Sequence, residues 1–425
     1  MARNILRVLL SANPLLKRSS HLSSLFEYLY YHVFGNIRNV QVFFIKGLVR
    51  NTKHSIATLY IGPEESAYQF ACLVYSEIRR MSPLGKFLVR RIDPSNLPDV
   101  EIIAANAKEP FIGRFLKQGY LLLPNVSFSL NLRGSTDQII KRSSRRRRRD
   151  IKKLQSFYYG YTISRNSEKD FDFFYWKMYL PYAKKRFGRA AQLHSYSILK
   201  GIYRRNGGII FVKKKEKNIA GILFQIKRKT LCALSFGVYE ANKSFVADLA
   251  GQAVLFFLIK WAKAKGVESL NYGKTMPFFR DGIFTYKKEW GMYVEQHADQ
   301  PFCALRLNCL NEGAISFLRQ NPFIFLDKGV MKGAVLVNHR PTRSELQRIF
   351  SKYFLPRLDS LIVIAYHDRN TEAASKTEPS TTLENLTDTR SQPLSRVCLS
   401  LQKRGFVVEA HALERQTRAG TNRVR

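Results

Sequence analysis

Cysteine is scarce in this chain, and its placement excludes two classes of stabilising device. Cys72, Cys232, Cys303, Cys309 and Cys398 are scattered, odd in number and without C-x-x-C spacing, so neither a disulfide framework nor a zinc site is indicated. No metal is expected, and a reducing, cytoplasmic setting fits such thiols. Long apolar runs are lacking as well. The longest, Ala253 to Ile259, falls far short of the roughly 20 residues that span a bilayer, so no transmembrane helix is expected. Acid is the third shortage. Against 70 Lys and Arg stand 32 Asp and Glu, a formal charge of +38. A field of that size attracts RNA, anionic membrane surfaces or a phosphorylated cosubstrate, although a solvated basic shell would have the same composition. No internal repeat is detectable.

What is present is enough apolar residue for real cores, 45% of 425 residues. Because single cores rarely grow beyond about 250 to 300 residues, this length predicts two folded units. The first 26 residues contain no acid but several Arg, Lys and Ser, which is the composition of a transit peptide or of a base-rich terminus; Arg7 interrupts any secretory apolar core. From Val40 to Tyr60 the runs VQVFFI and IATLYI predict strands, and Ser66 to Met81 an amphipathic helix. LPDVEIIA and GYLLLPNVSFSLNL are further strand candidates, punctuated by Pro98 and Pro124.

Ser135 with Gln138 forms the pattern of a capping box, predicting a helix from Thr136 to about Phe157. Nine of the thirteen residues from Lys141 to Lys153 are basic. The run Arg145, Arg146, Arg147, Arg148 and Arg149 reads either as the solvated face of that helix or as a contact for RNA or another phosphate. The aromatic stripe Phe171, Phe174, Tyr175 and Met178 has helical spacing and reads as core. GGIIFVKKK, NIAGILFQI and TLCALSFGV then predict three strands of an antiparallel meander, because the links around Lys217 and Lys229 are too short for a crossover. A helix from a Ser244 cap to Gly266 follows, leading to the strand ESLNYG, which should lie parallel to TLCALSFGV. The start of that helix, between Gly237 and Gly251, is the candidate anion site. Gly237, Val238, Tyr239, Lys243, Asp248 and Gly251 are its candidate donor-binding residues, although no dense glycine fingerprint marks them.

The segment Asn271 to Gly291, NYGKTMPFFRDGIFTYKKEWG, carries Tyr272-Gly273, Pro277, Asp281-Gly282 and Lys287-Lys288-Glu289-Trp290-Gly291. With the upstream LNLRGSTDQIIKRSSRRRRRDIKK and WKMYLPYAKKRFG, it resembles the Fem-like branch of the GNAT acyltransferases, which includes the peptidoglycan-bridge transferases. The resemblance covers about residues 110 to 325. It implies an α/β (α+β) fold of twin GNAT-like domains, each a mixed central sheet with flanking helices, the first degenerate. The expected division is a degenerate unit at 1–135, an acyltransferase domain at 136–305 and a closing segment at 306–365, followed by a mostly disordered tail at 366–425, where the composition turns to Ser, Thr, Glu and Asn without periodicity. It also implies an acyl donor, acyl-coenzyme A such as acetyl-CoA or an aminoacyl-tRNA, and a small-molecule or cell-wall-precursor acceptor. Lys287 matches the motif lysine beside the transfer centre, where a fixed cation would stabilise an oxyanion; a solvated helix charge is the alternative. Asp281, Tyr286, Tyr272 and Glu240 are the candidates for proton transfer. Tyr272 departs from the family pattern, in which Asp is frequent at that place.

Three functions remain open on this reading. They are transfer of an acyl group from acyl-coenzyme A to an amine or hydroxyl, aminoacyl-tRNA-dependent extension of a cell-wall precursor, and non-catalytic binding of RNA or a membrane surface on a decayed transferase fold.

Overall fold

The computed structural model describes residues 39–88, 100–107, 120–296, 302–368, 394, 398, 401–402 and 406–414. The basic N-terminal 26 residues lie outside these. Strands β1 (Asn39–Val49) and β2 (Ser55–Ile61) form an antiparallel pair; helix α1 (Glu64–Val74) follows, then β3 (Tyr75–Leu88) and β4 (Ile102–Ala107). The helix expected from Ser66 to Met81 therefore stops at Val74. From Tyr75 onward the chain pairs with β1 along its length, and the Tyr75 hydroxyl lies 2.7 Å from Thr58 Oγ1; strand pairing outweighs a helical period of apolar residues.

The stretch around Pro124 divides into β5 (Leu121–Pro124) and β6 (Val126–Asn131), which belong to different sheets. The Ser135 capping box is formed and starts α2 (Thr136–Lys141), but the helix expected to run to Phe157 breaks and resumes as α3 (Arg145–Leu154). The break has a local cause. Ser143 Oγ donates back to the Ile140 carbonyl, the Ser144 amide is held by the Glu289 carbonyl at 2.7 Å, and Ser144 Oγ accepts from the Arg147 amide.

After β7 (Tyr159–Ser164) come α4 (Glu168–Phe173), a wide π-helical segment Phe174–Tyr179, α5 (Leu180–Phe187) and α6 (Tyr196–Asn206). The aromatic stripe is core, with Phe171, Phe174 and Met178 fully buried. The meander follows as β8 (Gly207–Lys214), β9 (Lys217–Lys227) and β10 (Thr230–Val238), antiparallel throughout. The next helix is two pieces, α7 (Lys243–Ala247), capped by Asn242 rather than Ser244, and α8 (Ala250–Ala264). Leu249 between them adopts left-handed φ 65, which no continuous helix permits, and Asp248 caps the end of α7. Strand β11 (Ser269–Thr275) returns parallel to β10, as the crossover rule requires. α9 (Gly282–Glu289), β12 (Tyr293–Glu295), β13 (Phe302–Leu307), α10 (Glu312–Gln320), β14 (Phe323–Asp327), β15 (Val330–Val337), α11 (Arg343–Tyr353), β16 (Ser360–Asp368) and β17 (Phe406–Glu414) complete the order.

These elements make an α+β protein with mixed sheets and flanking helices. A six-stranded sheet runs β3-β1-β2-β4-β13-β5, a seven-stranded sheet β12-β6-β11-β10-β9-β8-β7, and a four-stranded sheet β14-β15-β16-β17. Pairing crosses the boundaries drawn from sequence. β6, before residue 135, sits in the seven-stranded sheet, whereas β13, at residue 305, sits in the six-stranded one. The tail read as disordered contains β17, which pairs with β16 over its whole length. The largest core cluster packs α8 against the seven-stranded sheet, and α8 buries Ala253, Val254, Leu255, Leu258 and Ile259 in it. No helix among the described residues is long and apolar enough to cross a membrane.

Candidate active site

The parallel pair β10 and β11 is joined only at its beginning. Thr230, Leu231 and Cys232 pair with Ser269, Leu270 and Asn271; beyond that β10 stays with β9 as far as Val238, while β11 goes with β6 as far as Thr275. The strands part, and a wedge opens between them. Both strands carry a local irregularity that bends them. β10 has an extra residue at Leu234, and β11 skips register between Asn271 and Lys274, where Gly273 adopts φ 75.

The backbone groups that β11 loses to this bend are satisfied by side chains. Asn271 Oδ1 accepts the Gly273 amide at 2.9 Å, and Lys287 Nζ donates to the Gly273 and Lys274 carbonyls, each at 2.9 Å. Lys287 thus stands where a neighbouring strand would. It is 3% exposed, which overturns its alternative reading as a solvated charge. Burial depresses its pKa from 10.5 to about 7, against the smaller opposing influence of Asp281. α9 places Lys287, and Asp281 caps that helix by accepting the Phe284 amide at 2.8 Å, while Thr275 Oγ1 donates to it at 3.1 Å. Asp281 therefore ties the start of α9 to the end of β11, and the cap is the role its contacts define.

Tyr272 and Tyr286 lie together beside the wedge with ring centroids 6.2 Å apart. The Tyr286 hydroxyl is 3.4 Å from the Gly251 carbonyl in the first turn of α8. Burial raises both phenol pKa values, so both remain protonated at neutral pH. Beneath Tyr286, at 4.7 Å from its ring, is the guanidinium of Arg147, which pairs with Glu289 at 2.6 Å and Asp150 at 3.0 Å. On the other side Tyr182 meets Phe236 edge-on at 5.2 Å, and Arg186 Nη1 donates to the Tyr182 hydroxyl at 2.5 Å. The Arg186 charge also acts at Tyr272, opposing the rise that burial imposes there.

Several sequence candidates lie elsewhere. Gly237 is a packing glycine, since a Cβ there would meet the Met178 carbonyl carbon and the Tyr179 nitrogen at 2.4 Å, so no ligand approaches that side. Val238 is core. Tyr239 stacks on Phe173, Glu240 is exposed on the following turn at φ 48, and Lys243 is exposed on the short α7. Asp248 is paired with Lys214 at 2.9 Å. Of that group Gly251 has room for a Cβ, which would lie in ordinary contact with the Phe236 ring at 3.5 Å. The five arginines do not act as one face either: Arg145, Arg146 and Arg149 are exposed, Arg148 bonds the Lys141 and Ser143 carbonyls, and Arg147 is buried in its ion pairs. Asn271, Tyr182, Arg186, Phe236 and Glu289 were missed, and no local pattern distinguishes them. Among the described residues no cluster of His, Cys, Asp and Glu converges on a metal-sized site.

No family model and no curated protein matches the chain. Among solved structures it is similar to FemX, with 11% identity over 61% of this chain and 83% of that one at a TM-score of 0.35. It is similar to L-PGS from Bacillus licheniformis, with 10% identity over 65% and 87% at 0.32. A GCN5-related N-acetyltransferase from Sphaerobacter thermophilus shares 12% identity over 50% and 62% at 0.29.

Proposed function

We propose that the protein is a GNAT-type acyltransferase whose donor lies in the wedge between β10 and β11 and whose acyl group passes to an amine or hydroxyl. The observation that carries this reading is the parted strand pair at the start of α8, held open by Asn271 and Lys287. Parted strands present unpaired backbone groups that an extended amide-bearing chain can bond, as the arm of coenzyme A does. The first turn of α8 adds free N–H groups and the positive end of a 15-residue helix for the donor's phosphates, and Leu249 at its N-cap offers no capping side chain. Gly251, in that first turn, adds no side chain to the approach, and a bulky one there would press on Phe236.

In the transfer, the acceptor nitrogen or oxygen bonds to the acyl carbon as the carbon–sulfur bond of the thioester breaks, and the acceptor's proton passes to the departing sulfur. Tyr272 and Tyr286, kept protonated by burial, are the groups placed to supply a proton or steady the carbonyl oxygen. Both N–H groups of an uncharged Lys287 amine are taken up by the Gly273 and Lys274 carbonyls, so its first role is to keep the wedge open.

Calorimetric titration with acetyl-CoA is the test. Binding that weakens in a folded Gly251→Leu variant supports the wedge, and equal binding by that variant places the donor elsewhere. The +38 charge favours a second reading, in which an aminoacyl-tRNA is the donor. Consumption of charged tRNA without thiol release from acetyl-CoA would select it.

A further inference from the structure

Away from the wedge, β7 closes the seven-stranded sheet at its far end, and the residues around it are unusual for a surface strand. Tyr158, immediately before β7, is 89% exposed and adopts φ 50, a left-handed conformation that a residue with a bulky side chain rarely takes. Its ring packs on nothing in the described chain that would repay that backbone. Tyr161 on the strand is 38% exposed and stacks on Phe257 of α8, with centroids 5.0 Å apart and planes 27° apart. Phe157 and Tyr159 stack at 5.4 Å, and the Tyr159 hydroxyl is anchored on the Asp248 carbonyl. Tyr161 thus stands on a stacked, half-buried ring, and Tyr158 projects into solvent beside the stacked Phe157 and Tyr159.

Base surrounds them. Lys152 and Lys153 end α3 just before the rings, Lys213 and Lys214 pair across from Gly160 and Tyr159, and Lys215 turns the next corner. At the opposite end of β7, Arg165 is exposed and its guanidinium lies 5.4 Å from the Trp261 ring. Of the acids near the strip, Asp248 is paired with Lys214 and Glu168 with Lys200 and Arg204, while Glu216 stands exposed beside Lys215, so the free charge of the strip comes from Lys152, Lys153, Lys213 and Arg165. The six residues of β7 span roughly 20 Å.

We propose that this strip binds single-stranded nucleic acid, with the exposed tyrosine rings stacking on bases and the flanking lysines and arginine following the phosphates. Exposed π-faces interleaved with cations are what an unpaired strand requires, because every base offers a face to stack and every linkage a charge to neutralise. A lipid surface would require aliphatic or tryptophan anchors where this strip has tyrosine hydroxyls and a strand backbone. The inference stands apart from the acyl-transfer reading, since Tyr158, Tyr161, Lys152, Lys153 and Lys215, which its test changes, are not among the residues assigned to the wedge; Tyr159 alone of the rings reaches the Asp248 carbonyl just ahead of α8.

The test uses the full chain and a fluorescein-labelled U15 RNA, followed by anisotropy across a salt series. Tyr158→Ala with Tyr161→Ala should weaken binding about tenfold or more, while Tyr158→Phe with Tyr161→Phe, which keeps the rings, should retain it. Replacing Lys152, Lys153 and Lys215 with Gln should flatten the log-log salt slope by about 0.7 for each phosphate no longer neutralised, and Arg145 and Arg146, two turns earlier on α3, changed to Gln should leave it unaltered. Should the double alanine variant not fold, Tyr158→Ala alone, at a site 89% exposed, should still cost about fivefold. Equal RNA affinity in a folded alanine variant overturns the proposal. A slope that flattens with the arginines instead of the lysines does so too, as does capture by phosphatidylglycerol vesicles without RNA binding.

Discussion

Lys287→Met removes the two bonds that hold the Gly273 and Lys274 carbonyls, and the consequence should depend on pH in a defined direction. Above about pH 7 the folded protein carries Lys287 largely uncharged. There the substitution leaves two carbonyls without that partner in a part-buried place, a loss of about 1 kcal/mol each. Below pH 7 the wild type additionally carries the cost of burying a cation. A depression from 10.5 to about 7 corresponds to roughly 5 kcal/mol, and Met is free of it. In the window between, the unfolded chain binds a proton at this lysine that the folded chain does not, so wild-type stability rises with pH. The destabilisation by Lys287→Met should therefore be greater at pH 9.0 than at pH 7.5 by about 2 kcal/mol, at roughly 1.4 kcal/mol per pH unit. Urea unfolding of both proteins at the two pH values and constant ionic strength measures this. Lys288, also depressed by burial to about 8, is common to both proteins and cancels. A difference that stays constant across pH would refute the burial of the ammonium and with it the role of Lys287 as the prop of β11.

Further outcomes follow from the same contacts. Gly237→Ala places a methyl group 2.4 Å from the backbone of Met178 and Tyr179, so it should destabilise by about 1–3 kcal/mol or more, seen as a lower midpoint in thermal unfolding. Gly251→Ala meets only the Phe236 ring at 3.5 Å and should leave stability within about 0.5 kcal/mol of wild type, so that any loss of acetyl-CoA affinity by calorimetry reports on the wedge. Arg147→Met takes from Asp150 its partner and leaves Glu289 with only the more distant Arg146, and should cost about 2–3 kcal/mol in urea unfolding, whereas Arg145→Gln, exposed two residues earlier, should cost less than about 0.5 kcal/mol. Comparable losses from both would dissolve the distinction between the inner and outer faces of α3.

Local patterning by itself determined the meander β8 to β10, the parallel return of β11 and the capping box at Ser135. Each follows from period, link length or a side chain acting within four residues of itself. The sequence also marked Lys287, Asp281, Tyr272 and Tyr286 as one segment, through the motif they share. What they do there was decided by tertiary structure. Lys287 is a buried prop because the β10–β11 pairing ends after three residues, and that ending depends on β6 taking up the other edge of β11 from more than a hundred residues away. Arg147 is inward and Arg145 outward within one uniform run of arginines, because Glu289 and Asp150 meet the first and water meets the second. Tyr182, Arg186 and Phe236 join the wedge across a helix and a strand, and no spacing along the chain records that. The division into sheets was likewise undetermined, since β6 and β13 enter the sheets that their hydrogen-bonding partners define, and a strand's own residues specify its alternation but not which distant edge will satisfy it.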